Sequence, residues 1–112
     1  VSKRPVGVDI EKQRNKIAKI ASKFLNYELN YIDKKKNNYI QELTWIWCIK
    51  ECLFKTCSKA GMSFKKNFLV LPFGTEKNVT NAWILEGEKR FNFEAVFFEF
   101  DGFGFAITTP MQ

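Results

Sequence analysis

Histidine is absent from this chain of 112 residues, and proline and glycine are scarce, at three and six residues. The lack of histidine excludes imidazole acid–base chemistry and histidine metal sites, so any catalysis must use carboxylates, lysines, cysteines or hydroxyls. No apolar run approaches the roughly 20 residues of a membrane span, and no signal peptide opens the chain. We therefore expect a cytoplasmic protein that does not enter a membrane.

Cysteine is also sparse, with Cys48, Cys52 and Cys57 as its three instances. An odd number of cysteines without a secretory signal indicates reduced thiols. Cys48 and Cys52 have a spacing that metal-binding thiolates use, but no fourth ligand and no histidine accompanies them. Packing in the core is the favoured role for this pair.

The chain is rich in positive charge and in aromatic residues. The net charge is +6, and 46% of the residues are hydrophobic, including twelve phenylalanines. This composition suits one domain with a packed core, and the charge favours an acidic partner such as a protein, a nucleic acid or a phosphorylated small molecule.

The stretch "VGVDIE", residues 6–11, is predicted to form a short strand in which apolar and acidic side chains alternate. Residues two apart on a strand point to the same side, so Asp9 and Glu11 share a face opposite Val8 and Ile10. The acidic face can turn toward water at a sheet edge or toward the interior, and the spacing alone favours water.

Two helices are predicted to follow this strand. The first covers residues 11–29, where apolar residues keep helical spacing on a basic background. The second starts near Asn37 or Asn38, runs to Ala60 and stops at Gly61, which can take the left-handed C-terminal conformation. Its apolar stripe consists of Leu43, Ile46, Ile49, Leu53, Cys57 and Ala60.

The rest of the chain is rich in β-forming runs separated by turn signals. Asp101-Gly102 suits a tight hairpin between the last two strands. Between residues 91 and 100 the apolar residues do not alternate cleanly, so that strand is expected to be covered on both faces or to carry a bulge. A strand, then helices, then antiparallel strands predict an α+β fold.

Charged residues interrupt the apolar part of the second helix in "TWIWCIKECLFK", residues 44–55. Lys50 falls close to the apolar stripe, where an ammonium is costly unless it reaches water or an anion. Glu51 and Lys55 are four residues apart and therefore neighbours on another side of the helix. The simplest interpretation is an exposed ion pair, which contributes only about 0.3 kcal/mol.

A second interpretation joins the acidic residues of the two stretches into one site. Asp9, Glu11 and Glu51 are carboxylates on or beside apolar elements, and three such groups repel one another without a cation. Magnesium prefers hard oxygen ligands and often shares them with substrate phosphates. Lysines nearby would neutralise the remaining phosphate oxygens, so the set suggests phosphoryl-type transfer.

The same stretches resemble the two signatures of the 4'-phosphopantetheinyl transferase superfamily. "VGVDIE" is similar to the first signature, and "WCIKECLFK", residues 47–55, is similar to the second. "KFLNYE" at 23–28, "GMSF" at 61–64 and the late "FGFAITT" resemble further segments of the family. The likeness extends over nearly all of residues 1–112, and it implies a single transferase-like domain with a strand and then helices packed on an antiparallel sheet.

The resemblance implies roles for individual residues. Asp9, Glu11 and Glu51 match the magnesium ligands. Glu51 also matches the catalytic residue proposed to activate the acceptor serine hydroxyl. Lys50 and Lys55 match lysines that contact the phosphates of coenzyme A, and Lys55 also matches one that assists departure of the leaving group.

The implied reaction moves the 4'-phosphopantetheine arm of coenzyme A onto a serine of an acyl or peptidyl carrier protein, with magnesium as cofactor. Adenosine 3',5'-bisphosphate is released. The enzyme would be a holo-[acyl-carrier-protein] synthase or 4'-phosphopantetheinyl transferase, as used in fatty acid biosynthesis and related pathways. Carrier proteins are acidic, which suits the basic character of this chain through electrostatic steering.

The family has two layouts, which differ in how the site is completed. Single-half enzymes form trimers with sites between subunits, whereas two-half enzymes are pseudo-dimers. "RPVGVDIEKQR", residues 4–14, looks like the start of the second half of the two-half type. We therefore expect homo-oligomer formation or pairing with a missing N-terminal half, and Trp45, Trp83 and Phe97 are candidates to cover the vacant interface.

Two alternatives remain open on the sequence. A non-catalytic carrier-protein-binding or assembly subunit that keeps the fold predicts binding without transfer. A basic nucleic-acid-binding domain predicts affinity with a steep salt dependence, and it ranks last because the sequence holds no recognition motif for nucleic acid.

Overall fold

The computed structural model describes residues 5–57, 60–74 and 76–111. Its strands form one antiparallel sheet in the order first, fifth, fourth, third, second. One long helix and shorter helical turns pack on it, which confirms the predicted α+β class. No helix in these ranges combines the length and the apolar character that crossing a bilayer requires. The strands are β1 (Gly7–Lys12), β2 (Phe68–Val70), β3 (Val79–Glu86), β4 (Lys89–Phe100) and β5 (Phe103–Pro110).

The long helix, α2 (Tyr39–Thr56), follows Asn38 as predicted but ends earlier than predicted. The Asn38 side chain caps no backbone N–H; its amide instead donates to Glu42 at 3.3 Å. At the other end Cys57 is already extended, so the helix stops before Ala60. Gly61 does have a positive φ of 83°, but it lies beyond the helix, and the predicted last turn falls partly on residues 58 and 59, outside the described residues.

The predicted first helix over residues 11–29 is wrong in its extent. Only α1 (Ile17–Ile20) is α-helical, and two 3₁₀ turns, Ala21–Lys23 and Tyr27–Asn30, follow it. The α-helix ends at Ile20, whose φ is −105°, and the backbone is also far from helical at Asn26, where φ is −146°. The Phe24 carbonyl, which a continuous helix would bond to the backbone, accepts instead from the Lys50 ammonium at 2.6 Å.

The hydrophobic core lies between α2 and one face of the sheet. The first four residues of the predicted stripe are fully buried, whereas Cys57 is half-buried and Ala60 is exposed. Trp45 and Phe97 also belong to this core and so do not cover an outer surface. The sheet contributes its inward-facing residues Phe68, Val70, Ala82, Ile84, Phe93, Ala95, Phe97 and Ala106.

The other face of the sheet carries an apolar patch and is covered by no element in the described part of the chain. Five large hydrophobic residues on β1, β4 and β5 are exposed there, and Phe98 stacks on Phe105 with ring centroids 4.8 Å apart. β4 pairs with β3 and β5 without an extra residue, so neither the predicted double coverage nor the bulge is found. We call Val8, Ile10, Phe98, Phe100 and Ile107 the outer apolar face.

The hairpin between β4 and β5 forms at the predicted place. Asp101 and Gly102 both have a positive φ, at 54° and 80°. Two consecutive residues in this region define the turn type that Asp-Gly favours, because its twist matches that of the flanking strands. The hairpin sets the register between β4 and β5, and the other edge of β5 pairs with β1.

Candidate active site

Small residues on β1 and β5 let α2 lie close to the sheet. A Cβ at Gly7 would come within 2.6 Å of the Cys52 carbonyl oxygen, and one at Gly104 within 2.9 Å of Thr44 Cγ2. The Cys52 thiol itself donates to the Ala106 carbonyl at 3.4 Å. This packing presses the inward-facing side chains of β1 against the middle of α2.

Asp9 is the innermost of the predicted site acids, with 6% of its surface exposed. Its Oδ1 lies 2.6 Å from the ammonium of Lys55, which also donates to the Val8 carbonyl at 3.2 Å. The hydrogen bond to Asp9 raises the pKa of Lys55. The other oxygen, Oδ2, is buried and has no donor while the neighbouring carboxyls are ionised. The structure therefore excludes a water-facing Asp9.

Glu11 and Glu51 complete the acidic cluster, which we define as Asp9, Glu11 and Glu51. Burial raises the pKa of Glu11 to about 7, helped by a hydrogen bond with Asp9 and by the charges of Asp9 and Glu51. Burial and the charge of Asp9 also raise the pKa of Glu51, while Lys55 opposes that shift. Mutual shifts of this kind require carboxyls that lie near one another, so the structure brings the three acids together.

An open cavity of about 310 Å³ lies beside Glu11. One wall is the ring of Trp47, whose indole N–H donates to the Glu11 carboxylate and lowers its pKa. The rim carries three exposed cationic side chains, and the floor is apolar. This combination suits a ligand that has both an anionic group and an apolar part. The further lining residues are Lys12, Arg14, Lys16, Ile17 and Ile20.

Lys50 lies apart from the acidic cluster, although it precedes Glu51 in the chain. It is fully buried, and its ammonium donates to Glu28 Oε1 at 3.0 Å and to the carbonyls of Phe24 and Phe64. Burial lowers the pKa of Lys50, and the charge of Glu28 opposes this shift. All three ammonium protons are taken within the protein, so a phosphate contact would require these bonds to break. The contacts favour a structural role over the predicted coenzyme contact.

The acidic cluster has the donor chemistry of a site for a hard divalent cation. It offers only oxygen ligands, one of them a buried oxygen without a donor, and a cation would relieve its mutual repulsion. Within residues 5–57, 60–74 and 76–111, however, no three potential ligands are already arranged to hold a metal ion. The residues thus fit magnesium by their chemistry, and binding would require side-chain adjustment.

The two buried cysteines serve packing, as predicted. The Cys48 thiol donates to the Asp9 carbonyl at 3.3 Å, and the Cys52 thiol donates to β5. Burial raises the pKa of both thiols, that of Cys52 to about 12, so both stay protonated near neutral pH. A thiolate metal site between them is therefore disfavoured.

Glu28 and Trp47 contact residues of the predicted site, although the sequence analysis gave neither of them a role. Glu28 is the anion that Lys50 needs in the core. The sequence indicated that Lys50 needs such a partner, because burying an unpaired lysine is costly. Trp47, one turn before Lys50, bonds to Glu11. Trp47 is the first residue of the second signature, but no residue spacing in the sequence predicted its contact with Glu11.

A comparison with protein-family models gives one match that spans most of the chain. A model described as the 4'-phosphopantetheinyl transferase superfamily matches residues 5–107. This range includes β1 with its two acids and all of α2. No curated protein gives a significant match. The extent of the match, together with the α+β fold, shows that the chain belongs to the 4'-phosphopantetheinyl transferase superfamily, a class of phosphopantetheine-transferring enzymes.

Proposed function

We propose that this protein takes part in magnesium-dependent transfer of the 4'-phosphopantetheine arm from coenzyme A to a serine of an acyl or peptidyl carrier protein. The observation that carries the proposal is the convergence of Asp9, Glu11 and Glu51 beside the ammonium of Lys55. Family membership supplies the reaction class. The cysteines at positions 48, 52 and 57 are free thiols, which supports a cytoplasmic setting.

Each member of the site has a proposed task. The acidic cluster would hold magnesium, which when bound supplies positive charge for the pyrophosphate oxygens of coenzyme A. Glu51 accepts the proton of the carrier serine, whose oxygen forms the new bond to phosphorus while the bond to adenosine 3',5'-bisphosphate breaks. Lys55, half-exposed and already at Asp9, is free to turn its ammonium toward the departing phosphate.

The basic surface around the cavity supports an acidic partner. Lys12, Arg14 and Lys16 are exposed and lie next to Glu11. Their positive field would draw an acidic carrier protein toward the site and would be weakened by salt. The apolar floor of the cavity is suited to the pantetheine chain.

We further propose that a second transferase-like fold covers the outer apolar face and completes the site. Phe100 is 68% exposed, and Val8 and Ile10 are more than half exposed, which is unusual for adjacent apolar residues in one patch. Val8 and Ile10 alternate on β1 with the site acids, so a partner on this face would sit against the strand that carries them. The partner is either a second copy of the chain or an N-terminal half.

The decisive experiment is intact-mass spectrometry of apo-carrier proteins incubated with this protein, coenzyme A and magnesium. We expect a mass gain equal to the phosphopantetheine arm, lost on removal of magnesium and in the variants Asp9→Ala and Glu51→Ala. Glu88→Ala, at an exposed position in the turn between β3 and β4, is the matched control and should keep activity.

The competing function predicts a different outcome of the same experiment. A non-catalytic carrier-binding subunit would retain carrier protein in a pull-down yet add no mass, even after an N-terminal half is supplied. Such a result would overturn the proposed transfer while leaving family membership intact.

A further inference from the structure

Lys50 and Glu28 form an ion pair without solvent exposure. Both side chains are 0% exposed, and the ammonium lies 3.0 Å from Glu28 Oε1. Its other two bonds go to the backbone carbonyls of Phe24, at 2.6 Å, and Phe64, at 2.9 Å. Because every ammonium donor has an acceptor, the pair can remain charged inside the core.

Glu28 extends this pair to the edge of the sheet. Its Oε2 accepts the Val70 N–H of β2 at 2.8 Å, and its Oε1 also accepts the Asn26 N–H at 3.2 Å. The pair therefore joins α2, the segment of 3₁₀ turns, the segment before β2, and β2 itself. A buried ion pair rarely stabilises more than an apolar pair of the same volume, so its distinctive contribution is a fixed geometry.

The carbonyls that Lys50 holds belong to the two residues whose rings pack on Trp47. The ring centroid of Phe24 lies 5.2 Å from that of Trp47, and the ring centroid of Phe64 lies 5.0 Å from it. Trp47 and Glu11 line the same cavity, and the interaction with the Trp47 indole N–H lowers the pKa of Glu11. A continuous series of contacts thus runs from the buried ion pair to one member of the acidic cluster.

We propose that Lys50 and Glu28 are positioning residues for the active site. Their ion pair fixes the two phenylalanine rings around Trp47, and Trp47 then orients the Glu11 carboxylate. Neither residue touches substrate. The inference rests on the proposed function, because that function makes Glu11 a ligand whose orientation matters.

The first test replaces the pair with two methionines, Lys50→Met together with Glu28→Met. An apolar pair can fill the space without leaving a single buried charge, so we expect a folded protein. Three indole N–H signals report the three tryptophans in a ¹H–¹⁵N NMR spectrum, and Glu11→Gln identifies the signal of Trp47. In the double variant the Trp47 signal should move toward its position in Glu11→Gln.

Trp45 provides the internal control in the same spectrum. Its indole N–H donates to the Phe98 carbonyl at 3.1 Å, and its ring packs on Phe73 and Phe97 rather than on Phe24 or Phe64, so its signal should stay in place. The carrier-modification assay should show kcat lower by about tenfold, as when an outer-shell partner of a ligand is lost, with the KM for carrier protein nearly unchanged. A folded double variant with an unmoved Trp47 signal would overturn the proposal.

A second variant keeps the proposal testable if the double variant does not fold. Phe64→Leu removes one ring but retains the backbone carbonyl that Lys50 uses, and the Trp47 signal should still move. Phe100→Leu, on the outer apolar face, is the matched control. An unmoved signal in folded Phe64→Leu would also overturn the proposal. Because the NMR readout needs no activity, failure of the wild type to modify carriers would count against the proposed function alone.

Discussion

At the scale of single residues, two neighbours on α2 have opposite environments. Lys50 is fully buried and bonded within the core, whereas the half-buried Glu51 belongs to the acidic cluster. Successive helix residues point about 100° apart, so adjacent letters in a motif can serve different surfaces. Reading "KE" as one functional unit is therefore unsafe, and each residue has to be judged by its own contacts.

Gly7 is the residue whose replacement should disturb the site most directly without touching its chemistry. A methyl group there would lie 2.6 Å from the Cys52 carbonyl and 2.7 Å from Thr108 Oγ1, so β1 must shift away from α2. We expect Gly7→Ala to lower the free energy of unfolding by about 1–3 kcal/mol, measured by urea denaturation. Gly74→Ala, where the added methyl has open space, should be nearly neutral, and equal effects would contradict this account.

Glu11 should make the stability of the metal-free protein depend on pH. Its pKa is about 7 in the folded state and near 4.5 otherwise, so the folded protein retains a proton that the unfolded chain has released. This contribution to stability is fully present below about pH 4.5 and is lost as the pH rises through 7. We therefore expect the melting temperature to fall between pH 5.5 and 8 by calorimetry.

Two variants distinguish the contribution of Glu11 to the pH dependence of stability from that of other acidic residues. Glu11→Gln should flatten the pH dependence, and Glu94→Gln at an exposed position should leave it unchanged. Magnesium should raise the melting temperature more at pH 8 than at pH 6, because a cation binds the ionised form. A stability that rises with pH in the metal-free protein would refute the assignment.

At the scale of elements, the segment between β1 and α2 shows tertiary contacts overriding helical periodicity. Its apolar spacing is that of a helix, yet it forms only one short α-helix and two 3₁₀ turns. The same segment protects the short edge strand β2, where the Val70 N–H donates to Glu28 and the Val70 carbonyl accepts from Tyr31 at 2.7 Å. These side-chain bonds occupy positions through which another chain could pair with the sheet.

Tyr31→Phe tests this protection of the edge. The variant removes the hydroxyl donor to Val70, and we expect about 1 kcal/mol lower unfolding free energy with faster hydrogen exchange in β2. Tyr27→Phe is the control, because among the described residues the Tyr27 hydroxyl makes no hydrogen bond to the protein. Equal losses of unfolding free energy in the two variants would show that the Tyr31 hydroxyl does not stabilise β2.

At the scale of the whole molecule, the single helical layer leaves one face of the sheet uncovered by any described element. Core residues fill the space between α2 and the sheet, and the opposite side presents the outer apolar face. An exposed patch of this kind marks an interaction surface in a folded protein. The proposed partner would therefore contact β1, the strand that carries Asp9 and Glu11.

Charging this face should disrupt assembly without unfolding the protein. Phe98→Lys with Phe100→Lys places charges on exposed positions of β4, and we expect a lower mass by light scattering together with lower transfer activity. Glu88→Lys, at an exposed position in the turn between β3 and β4, should leave the mass unchanged. A wild-type protein that stays monomeric at all accessible concentrations, and that no N-terminal half binds, would contradict the proposed partner.

The sequence by itself determined the features that depend on neighbouring residues. Alternation placed Asp9 and Glu11 on one face of a strand, Asp101-Gly102 specified the hairpin, and the two signatures indicated the family. Tertiary structure alone decided which face of β1 is buried, that Lys50 pairs with Glu28, and where the first helix breaks. The physical reason is that local geometry fixes relative orientation within an element, whereas burial and ion pairing depend on groups far apart in the chain, whose energies appear only once the elements pack.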